Sequence, residues 1–254
     1  MRAARRASRP ASALVVAVAC SNTADGMTRL GIPLLVLAHG GSASTIAWVV
    51  ASGVAPWLVL ALPAGAVLDR GRPDRWARFA HGARAALLVA AAVALGGPAP
   101  HPSVAAWMVL AWALGCAEVV ADLAAQTLVQ RTIDDHGLAG LNARVSAAQL
   151  SANQFVGPIV GGVAVAAIGP GALVVAAAAY GFAALTIPAG SLPGTDPANP
   201  AAEPAECTGL GDALRYLRAR RDLASLAAAV GVLNAVNEAT MAVLPALALG
   251  APLR

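Results

Sequence analysis

Apolar residues gather into blocks of about 20 or more, separated by short polar connections, from one end of the chain to the other. A hydrocarbon layer about 30 Å thick is crossed by about 20 helical residues at about 1.5 Å each, so every block is long enough to span a membrane. Seven spans can be drawn: Ala11 to Ala38, Ser42 to Leu68, Ala77 to Leu95, Ser103 to Val129, Leu141 to Ile168, Gly171 to Ala189 and Leu223 to Leu249. Helix is the state they must take, because a segment in lipid has to satisfy its own backbone groups, and the alternating ten-residue strands of a barrel are absent. Composition agrees. Of 254 residues, 58% are hydrophobic and 12% charged, against about 25% charged in a soluble domain. The expected fold class is an all-α membrane protein.

The formal charge of +4 does not point to a nucleic-acid partner, because all 17 basic residues are Arg and most sit between apolar blocks. Arg2, Arg5, Arg6 and Arg9 precede the first span. Arg70, Arg72 and Arg75 follow the second; Arg131, with Asp134 and Asp135, follows the fourth; Arg215, Arg218, Arg220 and Arg221 follow the sixth. The odd-numbered connections, around His39, Gly96 and Gly169, carry no Arg, Asp or Glu. The positive-inside rule then places the amino terminus in the cytoplasm of a multi-pass cell-membrane protein. Trp48, Trp76 and Trp107 lie near span ends, where interfacial anchoring is expected.

The first twenty residues have the basic-then-apolar form of a signal peptide, and Val16-Ala-Val-Ala-Cys20-Ser21 resembles a lipoprotein cleavage site. Apolar character resumes after Ser21-Asn22-Thr23 and runs to Ala38, so an uncleaved first span is expected. Cys20, Cys116 and Cys207 are far apart without CxxC spacing, which suits packing and indicates neither a disulfide framework nor a metal site. No cofactor is expected. The organisation expected is a basic amino terminus over 1–10, six spans over 11–190, a Pro-, Ala-, Glu- and Gly-rich cytoplasmic linker over 191–222, and a seventh span over 223–254. Within the linker, Gly211 to Arg221 reads as an amphipathic surface helix.

Ionisable residues inside a span are costly, tend to face a bundle interior, and mark candidate pathways. Asp25 lies about 14 residues into the first span and Glu118 about 15 into the fourth, both near mid-membrane by helical rise. They are the leading proton-carrying pair. Arg29 is one turn from Asp25, so an Asp25–Arg29 pair would leave Glu118 the freer proton carrier. Gln126, Gln149, Asn153 and Gln154 suit either a polar path or interhelical hydrogen bonds. All four histidines fall in or near connections or at a cytoplasmic span end.

Two motifs sharpen this picture. The loop after the second span reads Gly65-Ala-Val-Leu-Asp69-Arg70-Gly71-Arg72-Pro73-Asp74-Arg75, and the fifth span contains Asn153-Gln-Phe-Val-Gly157-Pro158-Ile-Val-Gly161-Gly162. The first resembles the major facilitator superfamily signature GxLaDRxGRRR, departing from it at Pro73 and Asp74. The second is similar to that superfamily's antiporter motif GxxxGPxxGG, with Asn153 in place of the first Gly. Physically, Gly65 would let a helix approach, Asp69 and the arginines would bridge helix ends, Gly157 and Gly161 would admit a partner backbone, and Pro158 would favour a kink. Ser21 to Arg29, Gly115 to Gln126 and Asn142-Ala-Arg144 also look like the enterobactin and macrolide exporter branch.

The resemblance implies a six-helix amino-terminal bundle, a linker and the start of a second bundle. It implies a gating role for the loop signature, with Asp122 meeting Arg72 or Arg75. The function expected is proton-coupled export of small amphipathic molecules such as drugs or siderophores by alternating access. Proton-linked uptake, and a non-transporting remnant or half-transporter partner, are the alternatives. The chain would need the missing second half or a second copy, and alone it is expected to insert without exporting. An enzyme is not expected, since HExxH, a Ser/His pair inside spans and a Walker-type GxxxxGK[ST] are all absent.

Overall fold

In a computed structural model, every regular element among the described residues is a helix; these residues are 2–97, 102–132, 135–188 and 220–248, with 211, 215, 218 and 219. In chain order the helices are α1 (Arg2–Ala38), α2 (Ala43–Arg70), α3 (Pro73–Gly96), α4 (Val104–Thr132), α5 (Asp135–Ser151), α6 (Gly157–Ile168), α7 (Ala172–Thr186) and α8 (Arg221–Ala248). A π-helical turn, Ala152–Val156, joins α5 to α6, and a 3-10 turn, Gly169–Gly171, joins α6 to α7. Most of the expected linker, part of its proposed surface helix included, and the side chains of Arg2, Arg5, Arg6, Arg9, Arg70, Asn237 and Glu238 lie outside the described residues.

Local chemistry sets the helix ends. Ser42 caps α2 through a capping box with Thr45, Pro73 opens α3 where its missing N–H costs nothing, and Ser103 Oγ accepts the Ala106 N–H 3.2 Å away at the start of α4. Arg78 Nη2 donates to the Ile187 carbonyl at 2.6 Å, which places a cation on the carboxyl end of α7.

Among the described residues, four helical stretches are long and apolar enough to cross a membrane: Ala43–Asp69, Pro73–Gly96, Val104–Thr132 and Gly137–Thr186. The last runs 50 residues, about twice the length one crossing needs, and is broken at Gly169, whose φ of 55° is left-handed. It therefore supplies two passes, with α7 folding back against α6 while packing on α3 and α1. α1 is less apolar because Ser21, Asn22, Thr23, Asp25 and Arg29 interrupt it, yet it continues unbroken through Cys20 and Ser21. Ser21, Asn22 and Thr23 each bond a backbone carbonyl three or four residues back, so their polar atoms are satisfied on the helix itself.

The interior has two apolar clusters. One gathers Ile32, Leu35, Ile46, Leu88, Trp107 and Leu173; the other gathers Leu14, Val18, Leu68, Leu128, Leu141 and Ile187. Between them lies a buried polar layer containing Asn22, Asp25, His81 and Arg84. Trp107 is only 4% exposed and packs edge-on to His39 inside the first cluster, so it is core rather than the interfacial anchor its position near a span end suggests. Trp48 and Trp76 are exposed.

Glycines fix the closest crossings. A Cβ on Gly26 would stand 2.5 Å from the Asn153 carbonyl oxygen, one on Gly157 would stand 2.5 Å from the Thr23 carbonyl oxygen, and one on Gly161 would stand 2.6 Å from Met27 Cα. α1 and α6 are therefore in backbone contact, a geometry only small residues permit. Gly115 plays the same part between α4 and α2, facing the Gly53 carbonyl. The irregularity expected at Pro158 takes the form of the π turn preceding it, in which the Gly157 N–H reaches the Ala152 carbonyl. Proline has no N–H for the carbonyl of residue 154 and its ring crowds that carbonyl, so the chain widens by one residue there.

Candidate functional site: a buried charge network above a polar cavity

Residues from four helices meet at one guanidinium in the polar layer. Arg84 of α3 is 2% exposed, and its Nη2 donates to Asp25 Oδ1 of α1 and, at 3.4 Å, to Glu118 Oε2 of α4. Tyr180 of α7 donates its hydroxyl to the same Asp25 oxygen at 2.6 Å, while its ring lies 4.1 Å from the Arg84 guanidinium carbon. The guanidinium is thus held by a carboxylate, a second carboxylate and a π face. His81, one turn before Arg84, stacks on Tyr180 with ring centroids 6.1 Å apart.

Asp25 and Glu118 do meet, as two carboxylates on one cation. The residue that joins them is Arg84 from another helix; Arg29 is half-buried one turn from Asp25 on α1. The two carboxylates are unequal. Asp25 is 5% exposed and receives two donors, whereas Glu118 is 26% exposed and receives the longer Arg84 contact. Arg84 was the residue to find in the sequence, as a basic residue inside the third span. Tyr180 and His81 carry no comparable signal, because an aromatic residue in an apolar helix usually means packing.

Beside this network lies a cavity of about 350 Å³, lined by α1, α3, α4 and α5 and reaching from Gln130 and Asn142 to Ser21, Asn22 and His81. Asp122, one turn from Glu118, lines it together with Gln126 and Gln149. Asp122 therefore contributes to a cavity wall, while Arg72, expected as its partner, makes a two-pronged contact to the buried Asp74 at 3.2 and 2.9 Å. Arg75 is exposed beside Trp76 and Phe79. Asn153 donates to Asn22 Oδ1 at 3.3 Å, linking the π turn to α1, and Gln154 is half-buried.

The loop signature is held by a residue outside it. Arg131, at the end of α4, donates to the Asp69 carbonyl at 2.7 Å and the Gly71 carbonyl at 3.3 Å, tying the α2–α3 connection to α4 through backbone groups. The Asp69 side chain is exposed. Gly71 is confined, since a Cβ there would lie 2.9 Å from the Val67 carbonyl oxygen. Gly65 does not serve the close approach expected of it: a Cβ there meets nothing within 4 Å among the described residues. Gly162 has more room than Gly157 or Gly161, its nearest contact being Leu30 at 3.4 Å.

An all-helical chain with repeated apolar passes, glycine-mediated helix crossings and a charge network at mid-depth is a multi-pass membrane protein with a polar interior. The family model of the Major Facilitator Superfamily matches residues 14–252, and the chain belongs to that superfamily. No curated protein and no solved structure matches it. The superfamily consists of secondary transporters, not enzymes, so a lipid bilayer and a small-molecule substrate are its partners.

Proposed function

We propose that the chain is the amino-terminal bundle of a proton-coupled exporter of small amphipathic molecules, with Glu118 as the exchangeable proton carrier and its amino terminus in the cytoplasm. The observation that carries this reading is the charge balance of the polar layer. Asp25, Glu118 and Asp122 are three carboxyl groups, and Arg84 and Arg29 two guanidiniums. An uncompensated charge at that depth is costly, so the surplus carboxylate is held neutral by a proton or faced by a cation. Asp25 is engaged by Arg84 and Tyr180; Glu118, the more open of the two, is the group whose protonation frees Arg84 for a different arrangement. A carboxyl whose two protonation states favour different packings is sufficient to bias an inward–outward equilibrium. Export rather than uptake is favoured by the Gly157-Pro158-Ile-Val-Gly161-Gly162 segment and its backbone contact with α1. The exporter-branch resemblance, and the gating role of Asp69, Arg70, Gly71, Arg72 and Arg75, belong to the same proposal.

The alternative, a half-transporter that works only as an assembly partner, is favoured by the exposed apolar face of α2 at Leu58, Val59 and Leu62. One experiment separates the two. The chain is reconstituted into vesicles alone and together with a second six-helix bundle, a proton gradient is imposed, and movement of a fluorescent amphipathic dye is followed. Gradient-driven movement abolished by Glu118→Gln at equal protein level is the expected result; movement indifferent to Glu118→Gln removes the proton-carrier role. Movement is expected only with the second bundle present; movement by the chain alone would show that a second copy of it suffices, and none in either preparation supports a non-transporting role.

A further inference from the structure

A groove on the outer side of the bundle, at the Pro73 end of α3, is lined by Arg72, Arg75, Trp76 and Phe79. Arg72 is committed to the buried Asp74 through its two-pronged contact. Arg75 is exposed and makes no hydrogen bond or ion pair among the described residues. The Trp76 indole N–H has no acceptor among them either, and its ring stands edge-on to Phe79 with centroids 6.4 Å apart. From Asp69 to Arg78 the chain carries four arginines against two aspartates, so this end of the helix is cationic.

An apolar stripe continues from the groove along the same helix: Phe79, Gly82, Ala86, Val89 and Val93 are all exposed. A Cβ on Gly82 would meet nothing within 4 Å among the described residues, which leaves a notch in the stripe about one turn past Phe79. No described helix covers the stripe; α8, the described helix beyond the linker, packs against α2 and α1. In a membrane such a stripe meets acyl chains, and a tryptophan with arginines at its end lies at headgroup depth.

We infer that this groove binds an anionic phospholipid such as phosphatidylglycerol, with Arg75 and the Trp76 N–H on its phosphate and one acyl chain lying over Phe79 and into the notch at Gly82. Guanidinium and indole N–H are both donors that a phosphodiester accepts. Phe79 is one turn from Arg75, about 6 Å deeper by helical rise, which carries the contact from headgroup to acyl chain. A zwitterionic lipid offers the same phosphate but brings its own ammonium among the arginines, so the net negative headgroup is preferred. A free phosphate ion would leave the aromatic rings and the notch unused. Under the topology proposed above this is the cytoplasmic leaflet, whose surface is anionic.

The test counts lipids bound to the purified chain by native mass spectrometry from detergent micelles, with dioleoyl phosphatidylglycerol, dioleoyl phosphatidylcholine and inorganic phosphate as probes. The first phosphatidylglycerol should bind about tenfold tighter than phosphatidylcholine, equivalent to about 1.4 kcal/mol, and inorganic phosphate should not bind at matching concentrations. Arg75→Gln should remove most of that preference and Arg75→Lys should keep it, with unchanged unfolding midpoints in lipid-free detergent showing that both variants fold. Arg144→Gln, at an exposed arginine on α5, should leave the preference intact, which separates a defined site from general attraction to a basic chain. Gly82→Leu should weaken both lipids alike, since it fills the notch and leaves the charge. Equal binding of the two lipids, equal losses in Arg75→Gln and Arg144→Gln, or phosphate bound as tightly as phosphatidylglycerol overturns the inference; Gly82→Leu without effect on either lipid overturns the placement of the acyl chain.

Discussion

At the scale of single residues, Arg84 holds the polar layer together. Three helices meet at its guanidinium through Asp25, Glu118 and Tyr180, and at 2% exposure it cannot exchange those partners for water. Removing one member of such a group leaves an opposite charge buried and unpaired, a loss of about 3–5 kcal/mol, whereas removing both leaves only a packing defect. Arg84→Leu is therefore expected to lower the unfolding midpoint of the detergent-solubilised chain sharply, and adding Asp25→Leu to recover part of the loss. The double-mutant cycle measures this directly. A double variant as unstable as the sum of the two single ones would mean that the residues do not stabilise one another. Arg84 is legible in the sequence by the rule that picks out Asp25 and Glu118, an ionisable side chain within an apolar run. Its pairing with Asp25, 59 residues away, is not.

At the scale of helices, the crossing of α1 and α6 depends on which glycines face the partner. Gly157 and Gly161 meet α1 backbone, Gly162 meets a flexible leucine side chain, and Gly65 meets open space. Gly161→Val should destabilise the chain by about 1–3 kcal/mol through overpacking, read as a lower yield of monodisperse protein and a lower unfolding midpoint. Gly65→Ala should be neutral or slightly stabilising, since alanine is the better helix former by about 1 kcal/mol. Equal losses at the two positions would remove the distinction between them. The motif spacing identifies the glycine-rich helix but not its partner. The π turn is likewise hidden, because Pro158 announces an irregularity without fixing whether the helix bends, breaks or widens.

At the scale of the whole molecule, the alternation of arginine between connections gives a topology that labelling can check. Both ends of the 11–190 unit are expected in the cytoplasm. In a variant lacking Cys20, Cys116 and Cys207, a cysteine at Ser42 should react with an impermeant reagent added outside intact cells, and one at Ser8 or Asp196 should not. The opposite pattern would invert the bundle and place the cavity on the outer side. The described helices extend beyond the drawn spans at several ends, α1 to Arg2 and α5 to Asp135, because a helix continues past the hydrocarbon wherever its backbone gains by staying paired.

The sequence by itself determined that this chain is helical and membrane-embedded, and it pointed to Asp25 and Glu118 as ionisable groups at similar positions along their apolar runs. Both follow from one-dimensional quantities: apolar run length, rise per residue, and the cost of leaving backbone groups unpaired in lipid. Only the tertiary structure decided that Arg84 takes Asp25, that Trp107 is core, that Asp122 lines a cavity while Arg72 takes Asp74, and that Tyr180 and His81 belong to the site. The physical reason is rotation. Depth along a helix is set by residue count, but which side chain faces which neighbour depends on how each helix is turned and tilted, and that is fixed by small-residue crossings such as Gly26 with Gly157 and Gly53 with Gly115.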